Sequence, residues 1–123
     1  MASAAIEVPL FKPGVVSASS GSLAQFSAVA ISGDLTVGAP TAGGPIFGVI
    51  QNNPISGEAA EVECKGITKA LLSGTVAAGN LLMVDSAGKF LVCTSGNVAV
   101  GQAMEAGVAN DIITVYLSNN GKQ

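Results

Sequence analysis

Residues 101–117, "GQAMEAGVANDIITVYL", read as a strand, a turn and a second strand. Residues 48–64, "GVIQNNPISGEAAEVEC", read as another copy of that hairpin. Subtracting Gly48 from Gly101 gives an offset of 53, and the same offset pairs Gly43 with Gly96, Thr41 with Thr94, Val62 with Val115 and Ala24 with Ala77. These are five identities over the 41 positions of 24–64 set against 77–117, so their order carries more weight than their number. "TAGGPIFG" (41–48) and "TSGNVAVG" (94–101) share T-x-G-x4-G without a gap, each leading into a strand pattern of the same phase.

That phase predicts which side chains turn inward, because successive strand side chains point to opposite faces. Ile113, Val115 and Leu117 share one face, and the offset sets Ala60, Val62 and Cys64 on the equivalent one. Thr114 and Tyr116, or Glu61 and Glu63, occupy the other. In the same way Val29 and Ile31 answer to Leu82 and Val84, and Val37 and Ala39 to Phe90 and Val92. The repeat predicts a buried, inert Cys64. Cys93, in opposite phase to Phe90, is predicted to react first, with no bridge between the two.

Turns fall between the runs at "SGD" (32–34), "PTAGG" (40–44), "DSAGK" (85–89) and "TSGN" (94–97). Glycine there supplies positive φ at little steric cost. Short apolar or β-branched runs with such punctuation every 8 to 12 residues or so read as a barrel or sandwich. "GSLAQFSAVA" and "ITKALLSG" could each hold a helical turn, but Val and Ile dominate their surroundings. The expectation is an all-β, small single-domain β-barrel built from two pseudo-repeated halves, with an extended N-terminal arm. Residues 1–20 form the arm and residues 21–123 the barrel domain.

The arm rests on "IEVPLFKPGVV", whose Pro9 and Pro13 remove backbone donors and favour extended chain, followed by the linker-like "SASSGS". An edge strand of the same domain is the other reading of this stretch. Ile6, Val8 and Leu10 share one face of an extended strand, with Phe11 on the other. Pro9 keeps such a strand at an edge. Ile6, Val8, Pro9, Leu10 and Phe11 are therefore the candidate contact residues, toward a partner or a second copy.

Composition narrows the function. The 123 residues are 49% hydrophobic and only 11% charged, against about 25% charged in an ordinary soluble domain. So few charges point to apolar surface covered by other subunits. All five cations are lysines and the net charge is −3, which argues against a nucleic-acid partner. With no His, neither a Ser-His-Asp nor a Cys-His arrangement is possible within the chain. Two cysteines are too few for a zinc cluster, and no catalytic residue, metal site or cofactor is expected. Neither a secretory signal nor an apolar run long enough to span a membrane is legible.

The remaining candidates for chemistry are weak. Glu58, Glu61 and Glu63 could form a cation or acid–base group, but Glu61 and Glu63 lie on the outward face and read as solvated. Glu105 sits at the turn side of the last hairpin with no partner legible in sequence. "DSAGK" lacks the phosphate-loop spacing. Lys89 within it suggests a lipoyl- or biotinyl-type carrier lysine, yet its neighbours Gly88 and Phe90 are not those such domains carry.

Taken together, "AGNLLMVDSAGKF" and "VAVGQAMEAGVANDIITVYL" resemble the C-terminal half of tailed-bacteriophage capsid decoration, or cement, proteins. Gly79, Val84, Asp85, Gly88 and Lys89 match the first part of that pattern. Gly101, Ala103, Glu105, Ala106, Asp111, Val115 and Leu117 match the second. Upstream, Gly48, Gly57, Glu58, Val62 and Gly66 stand where the family's first hairpin has them. The resemblance covers about residues 24 to 117. Asn110 departs from it, standing where the family has Gly, a change that a left-handed turn position tolerates. The resemblance implies a non-enzymatic virion protein, made in the host cytoplasm, that binds the outer face of an icosahedral capsid. Its partners would be the major capsid protein and its own copies, often as a homotrimer, with neighbouring capsomers tied together. The carrier domain modified on Lys89 and a small phage tail or fibre subunit are the alternatives.

Overall fold

In a computed structural model, which describes residues 15–18, 23–53 and 59–122, Gly- and Pro-rich turns divide the described chain into ten strands and no helix. The first half supplies β1 (Val15–Ala18), β2 (Ala28–Gly33), β3 (Thr36–Gly38), β4 (Gly48–Ile50) and β5 (Ala59–Glu63). The second supplies β6 (Gly66–Leu71), β7 (Leu81–Val84), β8 (Phe90–Val92), β9 (Val98–Ala103) and β10 (Ile112–Lys122). The all-β, barrel-type fold expected from sequence is the one observed.

Each half curls on its own. The first is a closed barrel in the order β1-β3-β2-β4-β5, sealed where β5 returns to β1. Its β1–β3 pair is parallel, with Ser17 opposite Thr36, and the remaining pairs are antiparallel. The second half is a five-stranded sheet in the order β6-β10-β9-β7-β8. Replacing each of these strands by its counterpart 53 residues earlier gives β1-β5-β4-β2-β3, the same cyclic order. Here the seam between β8 and β6 is held by a parallel bridge, Leu72 to Phe90, and by the Ser73 N–H donating to the Phe90 carbonyl at 2.8 Å.

Backbone angles repeat at the same interval, where side chains do not. Positive φ occurs at Phe26 (68°) and Gly79 (92°), at Leu35 (49°) and Gly88 (83°), and at Gly43 (70°) and Gly96 (90°). Each pair is 53 residues apart. The duplicated fold therefore demands left-handed backbone at fixed turn positions, and the first half meets the demand with Phe and Leu. For a non-glycine residue that conformation costs roughly 1–2 kcal/mol. Asn110 also takes positive φ, at 72°, as its glycine-like position predicts.

Two apolar clusters result from the alternation. Leu23, Val29, Val37, Ile50 and Ala60 fill the first barrel. The larger cluster joins Leu82, Val84, Phe90, Val115 and their neighbours to Ala28 and Val49 of the first half. Adjacent residues of β2 and β4 thus serve different cores: Val29 and Ile50 face into their own barrel, and Ala28 and Val49 face the other half. Turn backbones complete the joint. Ala28 N donates to Gly88 O at 2.7 Å, Gly43 N to Val84 O at 2.8 Å, Val98 N to Gly43 O at 3.0 Å and Leu71 N to Phe26 O at 2.9 Å.

Several expectations need correction. Cys64 is exposed, because β5 ends at Glu63 and the inward phase ends with it; its counterpart Leu117 lies inside the longer β10 and is buried. Cys93 is the half-buried thiol, so the expected order of accessibility is reversed, and both thiols are free. Ile31 is 58% exposed although its counterpart Val84 is buried, since it lies toward the β2–β3 turn. Val15–Ala18, assigned to the arm, is a stave of the barrel paired on both sides. The rest of the arm, with Ile6, Val8, Pro9, Leu10 and Phe11, lies outside the described residues, as do Gly57 and Glu58.

Candidate interaction surface

The sparse chemistry of the sequence stays dispersed in three dimensions. Among the described residues no group of three or more His, Cys, Asp or Glu could hold a metal ion. No helix among them is long and apolar enough to cross a membrane. Glu61 and Glu63 are exposed on the outer face of β5, as their phase predicts. Glu105, by contrast, has a partner that sequence did not reveal. Its Oε2 accepts the Thr114 N–H at 2.8 Å. That bond, the Thr114 side chain and the nearby Lys69 ammonium hold its carboxyl below the ordinary range, opposed by slight desolvation.

Lys89 belongs to the β7–β8 turn, and the turn is pinned. Asp85 Oδ1 accepts the Ala87 and Lys89 N–H groups, each at 2.9 Å. Gly88 then presses against β2, where an added Cβ would run into the Ala28 carbonyl. The lysine Nζ reaches Asn110 Oδ1 at 3.4 Å. A carrier lysine must swing clear on a projecting hairpin, and this hairpin is docked against the other half of the molecule.

What the fold does present is apolar surface. On the outward face of the β6–β10 pair, Ile67 stands directly opposite Tyr116, and Leu71 opposite Ile112. Ile67 is 62% exposed, Ile112 50% and Tyr116 48%. Between these two apolar rows lies a polar one, in which Lys69 Nζ donates to Thr114 Oγ1 at 3.0 Å. Such a pattern of apolar anchors around a satisfied polar pair suits contact with another protein surface. Ile112 was legible in sequence as an apolar residue on the outward phase of β10. Ile67 was not, since the inward phase of β6 is set by its pairing.

Next to Tyr116 the surface dips into a groove of about 500 Å³ along the seam between the halves. Ile46 and Phe47 form one wall, Val100, Tyr116 and Leu117 the other, and the link 64–66 between β5 and β6 crosses its end. Behind the first wall Ile46 backs onto the larger core and Phe47 onto the barrel core. Both Cys64, at this groove, and Cys93 have thiol pKa values pushed up by burial, with the Glu63 charge adding to the effect at Cys64.

No protein-family model matches the chain, and no curated protein does. Among solved structures, the chain is similar to the N base of head fiber gp8.5 in bacteriophage phi29, with a TM-score of 0.72. The match covers 89% of this chain and 94% of that one at 15% sequence identity. At that identity the likeness establishes a shared fold.

Proposed function

We propose that the chain is a non-enzymatic structural protein of a phage virion, seated on the outer surface of the head against the major capsid protein. One observation carries the reading: nearly the whole chain shares its fold with the base of a phage head fiber, with little of either chain left over. The outer face of β6–β10 supports it, because exposed Ile67, Ile112 and Tyr116 offer anchors that a lone protein has no use for. Copies would associate, as a homotrimer by the resemblance in sequence, so that several weak contacts act together. Cementing of neighbouring capsomers is the primary role.

The head-fiber likeness favours a second reading, in which the domain is the seat of a fibre and leaves shell stability unchanged. A sedimentation assay with undecorated shells tests both. The wild-type protein should pellet with shells, and an Ile67→Asp/Tyr116→Asp variant that melts normally should stay in solution. Decorated shells should survive heating that opens bare ones if the role is cementing. Binding without that protection would favour the fibre seat, and no binding at all would refute the head-surface reading.

A further inference from the structure

The groove at the seam exposes Ile46, Phe47, Tyr116 and Leu117 to water beside a strand edge that the described residues leave open. β1 pairs with β5 in antiparallel register, Val15 opposite Glu61 and Val16 opposite Ala60. β5, however, continues past Glu61 to Glu63 and leads directly into the link 64–66 at the groove. Chain leaving β1 backwards from Val15 therefore starts beside this open edge. On its other side β1 meets β3, which begins only at Thr36, opposite Ser17, and offers no further pairing in that direction.

We propose that the segment Ile6–Phe11 of the same chain seats in this groove, as a strand continued from β1 along the end of β5. Carried on one residue for one residue, the register sets Lys12 against Cys64, Phe11 against Lys65 and Leu10 against Gly66, which brings the apolar end of "IEVPLF" to the groove mouth. The occupant is set by length and position: fourteen residues precede Val15, and the apolar stretch ends four residues before it. A volume of about 500 Å³ suits a few apolar side chains, within the roughly 300–1,000 Å³ of small-ligand sites, and not a folded partner. Pro9, which lacks a donor, fits a strand with one free edge. The segment thus has an intramolecular seat, in place of the intermolecular grip its sequence suggests. The inference rests on the groove and the register alone and stands apart from the virion reading.

Cys64, at the groove and level with Lys12 in this register, reports on it directly. Labelling by a small thiol reagent, resolved by peptide mass, is compared between the full chain and a full-length Leu10→Asp/Phe11→Asp variant, with Cys93 as the internal reference. Melting curves confirm that both are folded. The variant should label Cys64 roughly tenfold faster at an unchanged Cys93 rate, the protection that an opening free energy of about 1.4 kcal/mol gives. A chain lacking residues 2–12 should match the variant. Equal Cys64 rates in the full chain and the variant would overturn the proposal. Protection that fades on dilution would also overturn it, since the segment would then come from a second copy.

Discussion

Replacing Gly88 by Ala tests the joint between the halves, and Gly79→Ala supplies the matched control. Both glycines have strongly positive φ, 83° and 92°. At Gly79 an added Cβ meets nothing within 4 Å, whereas at Gly88 it lies 3.1 Å from Ala28 N and closer still to the Ala28 carbonyl. The control should therefore show the conformational cost alone, about 1–2 kcal/mol. At Gly88 the clash must also push β2 away and weaken the bond from Ala28 N to Gly88 O. Stranding that buried donor adds about 1–3 kcal/mol. The expected total is about 3 kcal/mol, a fall in Tm of about 10–15 °C for a domain of this size, against about 5 °C for Gly79→Ala. Circular dichroism melts and urea titration read both. Equal losses in the two variants would mean that the β7–β8 turn does not bear on β2, and the account of the joint would be wrong.

Leu35 has φ of 49° and is 59% exposed, so Leu35→Asn, which accepts left-handed backbone more readily, should raise stability by up to about 1 kcal/mol in the urea midpoint. A loss there would mean that the leucine's packing outweighs its backbone strain. Glu105 gives a pH signature. Its carboxyl is held below the ordinary 4.5 in the folded chain, so its contribution is fully present above that value and drains as pH falls through it toward the lowered one. Glu105→Gln should accordingly destabilise the protein near neutral pH and converge on the wild type in acid; parallel stability curves would contradict the Thr114 bond. Lys89→Arg should leave the melting curve unchanged, and the wild-type intact mass should carry no lipoyl or biotinyl increment on Lys89, whose docked turn denies it the swing of a carrier lysine.

The lessons of the sequence were local ones. The offset of 53, the turns and the strand phases were legible because pleat alternation and left-handed turns act over a few residues, and all three recur in the backbone. The absence of His and the scarcity of charge likewise narrowed the chemistry without any structure. Alternation, however, gives a strand two faces and does not say what covers either. Only long-range packing decided that Ala28 and Val49 would face a second half, and that each half would curl separately with its own cluster around a shared joint. Strand length was set the same way. β10 is flanked on both sides and keeps Leu117 inside, while β5 ends at Glu63 and releases Cys64 to the surface. The Glu105 bond to Thr114 spans nine residues of hairpin and forms only once β9 and β10 have met. The apolar face around Ile67 and Tyr116 was equally hidden, because register between distant strands, and not the spacing of residues along one, set those side chains opposite each other.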